Sequence, residues 1–175
     1  MKTLLVLTVT SPDKAGIVSA LSKTILAHNA NWEASKMARL GGVFAGIVQV
    51  GVDSEKSETL ATELRALSNQ NMTVIVQNSM PMDLYGDFTP LTLIISGADH
   101  EGIVQSFSHF LADNGVNVEE LETEVENAPL SGVLIFNAHF ELKCPPVLGF
   151  SKLQKMLDHL AEELAVDFHL EETAH

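Results

Sequence analysis

Apolar and polar residues follow two rhythms along this chain, and the order of those rhythms occurs twice. Leu4–Val9 is a short apolar run of the length and β-branched content expected of a strand. Ile17, Leu21 and Ile25 then recur at four-residue spacing, which predicts a helix from about Gly16 to His28 with one buried face. Asn29-Ala30-Asn31 ends it. Trp32–Leu40 reads as a second strand, Gly41-Gly42 as a tight hairpin turn and Val43–Val52 as a third strand. After Asp53 and Ser54, Leu60, Leu64 and Leu67 mark a second helical stripe, and Met72–Gln77 closes the unit as a strand. The same order follows in the second half. Strand Leu91–Ser96, helix Gly102–Asn114, strands Asn117–Glu126 and Val133–Leu142, helix Phe150–Leu164 and strand Val166–Glu171 are predicted there. Alternation is clean in this copy, with Leu134, Phe136, Ala138, Phe140 and Leu142 on one face and Asn137, His139 and Glu141 on the other.

The repetition extends to residue identity. Leu5–Glu33 aligns without a gap on Leu91–Glu119, keeping Leu5/Leu91, Leu7/Leu93, Asp13/Asp99, Gly16/Gly102, Ile17/Ile103, Val18/Val104, Ser22/Ser108, Asn31/Asn117 and Glu33/Glu119. Two copies at so long a period mean a duplicated small domain, not a solenoid. Strand-helix-strand-strand-helix-strand with half-buried strands predicts an α+β fold. It is the ferredoxin-like βαββαβ unit, an antiparallel sheet with both helices on one face, occurring twice. Residues 1–78 and 90–175 are the expected domains. The segment 79–89, with Pro81 and Gly86, is the linker, and Met80, Met82, Leu84, Tyr85 and Phe88 predict that it packs down. One strand departs from half-burial. Val43–Val52 is apolar on both faces, so its outer face is expected to be covered by the other repeat or by a second chain in a homodimer.

Composition narrows the function. Ten Lys and Arg stand against 23 Asp and Glu, a net charge of −13, and no basic patch or helix is present. Direct binding to nucleic acid, which relies on cations neutralising phosphates, is thereby disfavoured. No apolar run approaches the length of a membrane span. The start, Met1-Lys2-Thr3 before the first strand, lacks a small-residue cleavage site and reads as strand, not signal peptide. A lone cysteine, Cys144, excludes an internal disulfide and fits a reducing, cytoplasmic setting; it is expected in a loop before Pro145-Pro146 as an incidental thiol.

The retained Asp-x-x-Gly turn admits two readings. Structurally, Asp13 in Asp13-Lys14-Ala15-Gly16-Ile17 is placed to cap the helix, and Gly16 and Gly102 open it where a Cβ would obstruct the strand end. Functionally, free N–H groups and the positive helix end attract a small carboxylate. On that reading an amino acid would set its carboxylate on the N–H groups of Ala15, Gly16 and Ile17. Its ammonium would meet Asp13 or a carbonyl near Asn31, with Lys14 adding positive potential. Asp99, His100 and Gly102 are the second copy's equivalents, but Glu101 opposes an anion there, so the first copy is preferred.

Other chemistry is thinly represented. His28, His100, His109, His139, His159, His169 and His175 are scattered without metal-ligand spacing, and His159 with Glu162 or Glu163 reads as an exposed helical pair. No nucleophile elbow, phosphate loop or dinucleotide fingerprint occurs. Neither catalytic residues nor a cofactor are therefore expected. Trp32 reads as a core or interface residue, and the acidic run Glu119–Glu126 as a solvated edge or a face for a basic partner.

Doubled βαββαβ units with Asp-x-x-Gly-Ile-Val after the first strand resemble tandem ACT domains, the small-molecule-sensing modules of amino-acid metabolism. The run Asn31-Trp32-Glu33-Ala34-Ser35-Lys36-Met37-Ala38-Arg39-Leu40-Gly41-Gly42-Val43-Phe44 resembles that of the glycine cleavage system transcriptional repressor family. The resemblance implies a non-enzymatic regulator that senses glycine or a similar amino acid. It would contact a LysR-type transcriptional activator and not DNA. A free-standing regulatory ACT module for a metabolic enzyme is the alternative it implies. The turns depart from the family's usual Asp-Arg-Pro-Gly, reading Asp-Lys-Ala-Gly and Asp-His-Glu-Gly. The second hairpin, Glu124–Ser131, is longer and acidic.

Overall fold

A computed structural model describes residues 1–69, 71–79, 85–128 and 132–173. The chain forms two compact units, Met1–Met82 and Asp83–His175. In the first, β1 (Lys2–Pro12), α1 (Ile17–Ala27), β2 (Asn31–Leu40), β3 (Val43–Asp53), α2 (Ser57–Ala66) and β4 (Thr73–Asn78) follow in order, with one 3₁₀ turn, Ser54–Lys56, before α2. The second contains β5 (Thr89–Ala98), α3 (Ile103–Asp113), β6 (Asn117–Asn127), β7 (Leu134–Cys144), α4 (Phe150–Leu164) and β8 (Val166–Glu172). Each unit has one four-stranded antiparallel sheet, ordered β2-β3-β1-β4 and β6-β7-β5-β8. This is the ferredoxin-like arrangement, present twice.

The cores follow the sequence periodicity. Leu5, Leu7 and Val9 of β1 and Val48, Val50 and Val52 of β3 meet Ile17, Leu21 and Ile25 of α1 and Leu60 and Leu64 of α2. Leu91, Leu93, Ile95, Phe136, Phe140 and Leu142 likewise meet Phe107, Leu111, Leu153 and Leu157. Leu67 lies beyond the end of α2 and is only half-buried, because the helix stops at Ala66.

The retained Asn-x-Glu acquires a physical meaning in the sheets. The β2–β3 register slips between Trp32 and Ala34, and the β6–β7 register between Val118 and Glu120. Glu33 and Glu119 are thus the extra residues of matching bulges. In the first unit Glu33 Oε2 accepts from Gln49 Nε2 at 3.3 Å, and its carboxylate lies over Gly51, where a Cβ would collide with it.

The two outer sheet faces differ in chemistry. Val43 (46% exposed), Ile47 (54%) and Ile75 (51%) lie on the first, so β3 is apolar on both faces as its sequence requires. On the second, Glu122 pairs with His139 and Glu124 with Asn137 across β6 and β7. The acidic run forms β6, an edge strand, with Glu122, Glu124 and Glu126 exposed.

Cys144 corrects the expected loop position. It is the last residue of β7, 2% exposed, with Sγ donating to Pro145 O at 3.7 Å, and burial pushes its thiol above the usual range. Within the first unit Ser79 N–H bonds Leu4 O at 2.8 Å, and within the second the half-buried Tyr85 and Phe88 rings meet edge-on with centroids 5.2 Å apart. Met80, Pro81, Met82 and Leu84 lie outside the described residues.

Candidate functional site

The turn after β1 is built differently from its sequence reading. Gly16, not Asp13, is the N-cap of α1, with φ 97° and ψ −2° and no side-chain cap. The first intrahelical bond is Ala20 N–H to Gly16 O at 2.9 Å. A Cβ on Gly16 would meet nothing within 4 Å, so glycine is required by its left-handed φ and not by crowding. Gly102 repeats the geometry, with φ 95° and ψ −7° at the N-cap of α3. The duplicated glycine is thus a conformational requirement in both copies.

Asp13 does something else. Its N–H donates to Gly42 O at 2.9 Å, which pins the turn to the tip of the β2–β3 hairpin. Its Oδ2 accepts from Arg39 Nε at 2.6 Å. Both side chains are substantially exposed, so this bridge is worth no more than about 1 kcal/mol and chiefly orients the carboxylate. Asp99 N–H repeats the backbone contact, to Leu134 O at 2.8 Å, but Val125 occupies the place of Arg39 on β6.

Beside the first turn lies a pocket of about 170 Å³ lined by Asp13, Lys14, Gly16, Ile17, Val18, Ser19 and Phe44. Asp13, Lys14, Gly16 and Ile17 therefore share one pocket. Ala15 is exposed on the turn and does not line the pocket. Asn31 is not brought in either. It starts β2 and borders a neighbouring groove of about 520 Å³ with Trp32, Lys23, Leu26 and Ser19, the last shared with the turn pocket. Val18, Ser19, Phe44 and Arg39 escaped the sequence reading as site residues. For Phe44 and Arg39 the available signal was their place around Gly41-Gly42, since the hairpin tip is what the turn is bonded to.

With Gly16 as N-cap, the donors left without intrahelical acceptors are those of the first turn of α1, Ile17, Val18 and Ser19. These N–H groups, the helix dipole and Lys14 favour an anion there, while Ile17, Val18 and Phe44 supply apolar walls.

The second turn is arranged otherwise. His100 Nδ1 lies 3.0 Å from Glu101 O and Nε2 lies 2.9 Å from Leu164 O, so this side chain is engaged with backbone. These bonds, helped by Asp99, raise its pKa above the ordinary imidazole value.

Five further histidines sit beside single carboxylates: His28 by Glu63 (3.5 Å), His109 by Asp113 (3.4 Å), His139 by Glu141 (3.4 Å), His159 by Glu163 (3.5 Å) and His169 by Glu171 (3.3 Å). Among the described residues no group of three His, Cys, Asp or Glu side chains could hold a metal ion, and His175 lies outside them. Among them, too, no helix is long and apolar enough to cross a membrane.

Comparison with known proteins bears on the fold. Residues 3–77 match the ACT domain model. Over its whole length the chain is similar to the crystal structure of an unknown protein from Galdieria sulphuraria. Identity is 30%, the match covers 99% of this chain and 100% of that one, and the TM-score is 0.89. It also shares its fold with the crystal structure of a "putative glycine cleavage system transcriptional repressor", at 18% identity, 100% and 99% coverage and a TM-score of 0.70. No match emerged among curated proteins. Residues 3–77 thus match the ACT-domain family, and the second unit repeats the strand order of the first.

Proposed function

We propose that this chain is a non-enzymatic, amino-acid-sensing regulator of the glycine cleavage system, made of ACT domains 1–78 and 90–175 joined by 79–89. Its effector, glycine or a similar small amino acid, binds at the first turn. The effector carboxylate takes the N–H groups at the start of α1, and its ammonium takes the Asp13 oxygen not held by Arg39. Occupancy changes contact with a LysR-type activator, which does the DNA binding. The observation that carries this reading is the pocket formed where uncapped helix N–H groups, Lys14 and the Asp13 carboxylate converge. The repressor-like fold over the full chain supports the system, and the −13 charge supports action through protein contact.

Thermal melting against single amino acids tests the effector. A ligand at 100 times its dissociation constant stabilises the fold by roughly 2.7 kcal/mol. Lys14→Glu, which reverses the local charge, and Val18→Trp, which fills the pocket from an exposed helix position, both abolish that shift while the protein stays folded. If no amino acid shifts the melt at millimolar concentration, the turn is structural. Pull-down from extract tests the partner, and recovery of a metabolic enzyme in place of a transcription factor overturns that part. Purified protein alone leaves promoter DNA unretarded at physiological salt; tight, salt-sensitive retardation would require a basic surface.

A further inference from the structure

We propose that the turn opening α3 in the second repeat is a proton-operated clasp, in which protonated His100 ties that turn to the last carbonyl of α4. The inference starts from valence. A neutral imidazole has one N–H donor and one lone-pair nitrogen, whereas both partners of His100 are carbonyl oxygens, which only accept. In either neutral tautomer one ring nitrogen therefore sets its lone pair against a carbonyl about 3 Å away. The imidazolium, with two N–H groups, satisfies Glu101 O and Leu164 O together.

The far partner is a place where a cation belongs. Leu164 ends α4, so its carbonyl is among those left open at the negative end of the helix dipole. The last turn of α4 has no basic residue of its own, and Ala165 closes it in a left-handed conformation with φ 52°. His100 thus supplies from another element the cation that α4 lacks. The charged groups on the segments that meet here are all acidic: Asp99 and Glu101 on the turn, Glu162 and Glu163 in the last turn of α4, and Asp167 at the start of β8. The start of β7, bonded to Asp99 through Leu134 O, adds no charge. Of these acidic groups, Asp99 acts on the ring as a charge, and it favours the imidazolium.

The sign of the pH dependence follows. The folded-state pKa of His100 lies above its ordinary value of 6.5. The folded chain thus holds this proton more tightly than the unfolded chain does. The clasp is fully closed below 6.5 and is lost as pH rises through the folded-state value. Deprotonation releases one of the two carbonyls and loosens the link between the start of α3 and the α4–β8 corner. In the first repeat Lys14 stands at this position and lines the pocket. The duplicated turn has therefore been put to two uses, and the clasp operates whether or not the first turn holds an amino acid.

NMR of the full chain, labelled with ¹⁵N and ¹³C, reads the clasp directly. The His100 ring nitrogens titrate with a midpoint above 6.5, both nitrogens carry protons below it, and the Leu164 carbonyl ¹³C shift moves with the same midpoint. His100→Gln, at an exposed position that leaves the core intact, removes the Leu164 titration. A His100 midpoint at or below 6.5 would overturn the proposal. So would a Leu164 carbonyl shift that does not follow the ring, or one that titrates unchanged in the Gln variant.

Discussion

Replacing Gly16 with alanine isolates the cost of backbone conformation from that of space. Gly16 has φ 97° at the N-cap of α1, where an L side chain is strained, yet the added Cβ would meet nothing within 4 Å. Conformational strain of this kind costs on the order of 1–3 kcal/mol, against a total stability of roughly 5–15 kcal/mol for a domain. Asparagine tolerates left-handed backbone better than alanine, and valine worse, so the expected order of destabilisation is Asn < Ala < Val. A crowding explanation would instead scale with side-chain volume and place Asn above Ala. The assay is urea unfolding followed by fluorescence of Trp32, the single tryptophan, which packs against the core of the first unit. With a urea slope of about 1 kcal/mol per molar for so small a domain, Ala moves the midpoint down by roughly 1 M or more. Gly102→Ala, with φ 95° in the second unit, should leave the Trp32 transition where it is if the units unfold independently. An alanine midpoint within about 0.2 M of wild type, equivalent to roughly 0.2 kcal/mol at that slope, would refute the strain argument. So would an order of cost that tracks volume.

Leu21→Ala, which empties a fully buried position on α1, should cost about 2–5 kcal/mol in the same assay. Leu26→Ala, 74% exposed on the same helix, should stay within about 0.5 kcal/mol, and similar values for the two would contradict the assigned helix face. Ile47→Asp tests the doubly apolar β3: a loss of a few kcal/mol, or dissociation of an oligomer in sedimentation, means that the outer face is covered, and a change below about 0.5 kcal/mol means that it is open to water. Cys144, 2% exposed and with its thiol held protonated by burial, should react with a disulfide reagent only as fast as the second unit opens. Reaction of the native protein at the rate of a free thiol would displace it from the end of β7.

Most of the fold is legible in the chain because it rests on local periodicity. Ile17, Leu21 and Ile25 mark the buried face of α1 by spacing alone, and Phe136, Ala138, Phe140 and Leu142 mark that of β7 by alternation. The internal repeat then supplies the tertiary grouping, because two copies of one strand-helix order require two like sheets. Within the site the same information runs out. Asp-x-x-Gly reads as cap and spacer, yet Asp13 bonds Arg39 and Gly42, and Gly16 caps the helix through its own backbone. The bonds of Asp13 come from the β2–β3 hairpin folding over the turn, a contact between residues more than twenty-five positions apart that no local pattern encodes, whereas the Gly16 cap follows from its left-handed backbone. The retained Asn-x-Glu was visible as an identity, but only strand pairing reveals that its glutamate is a bulge. Likewise, spacing could place His100 in the second turn. That its ring bridges two carbonyls follows from where α4 ends, which the packing of α4 on its sheet decides.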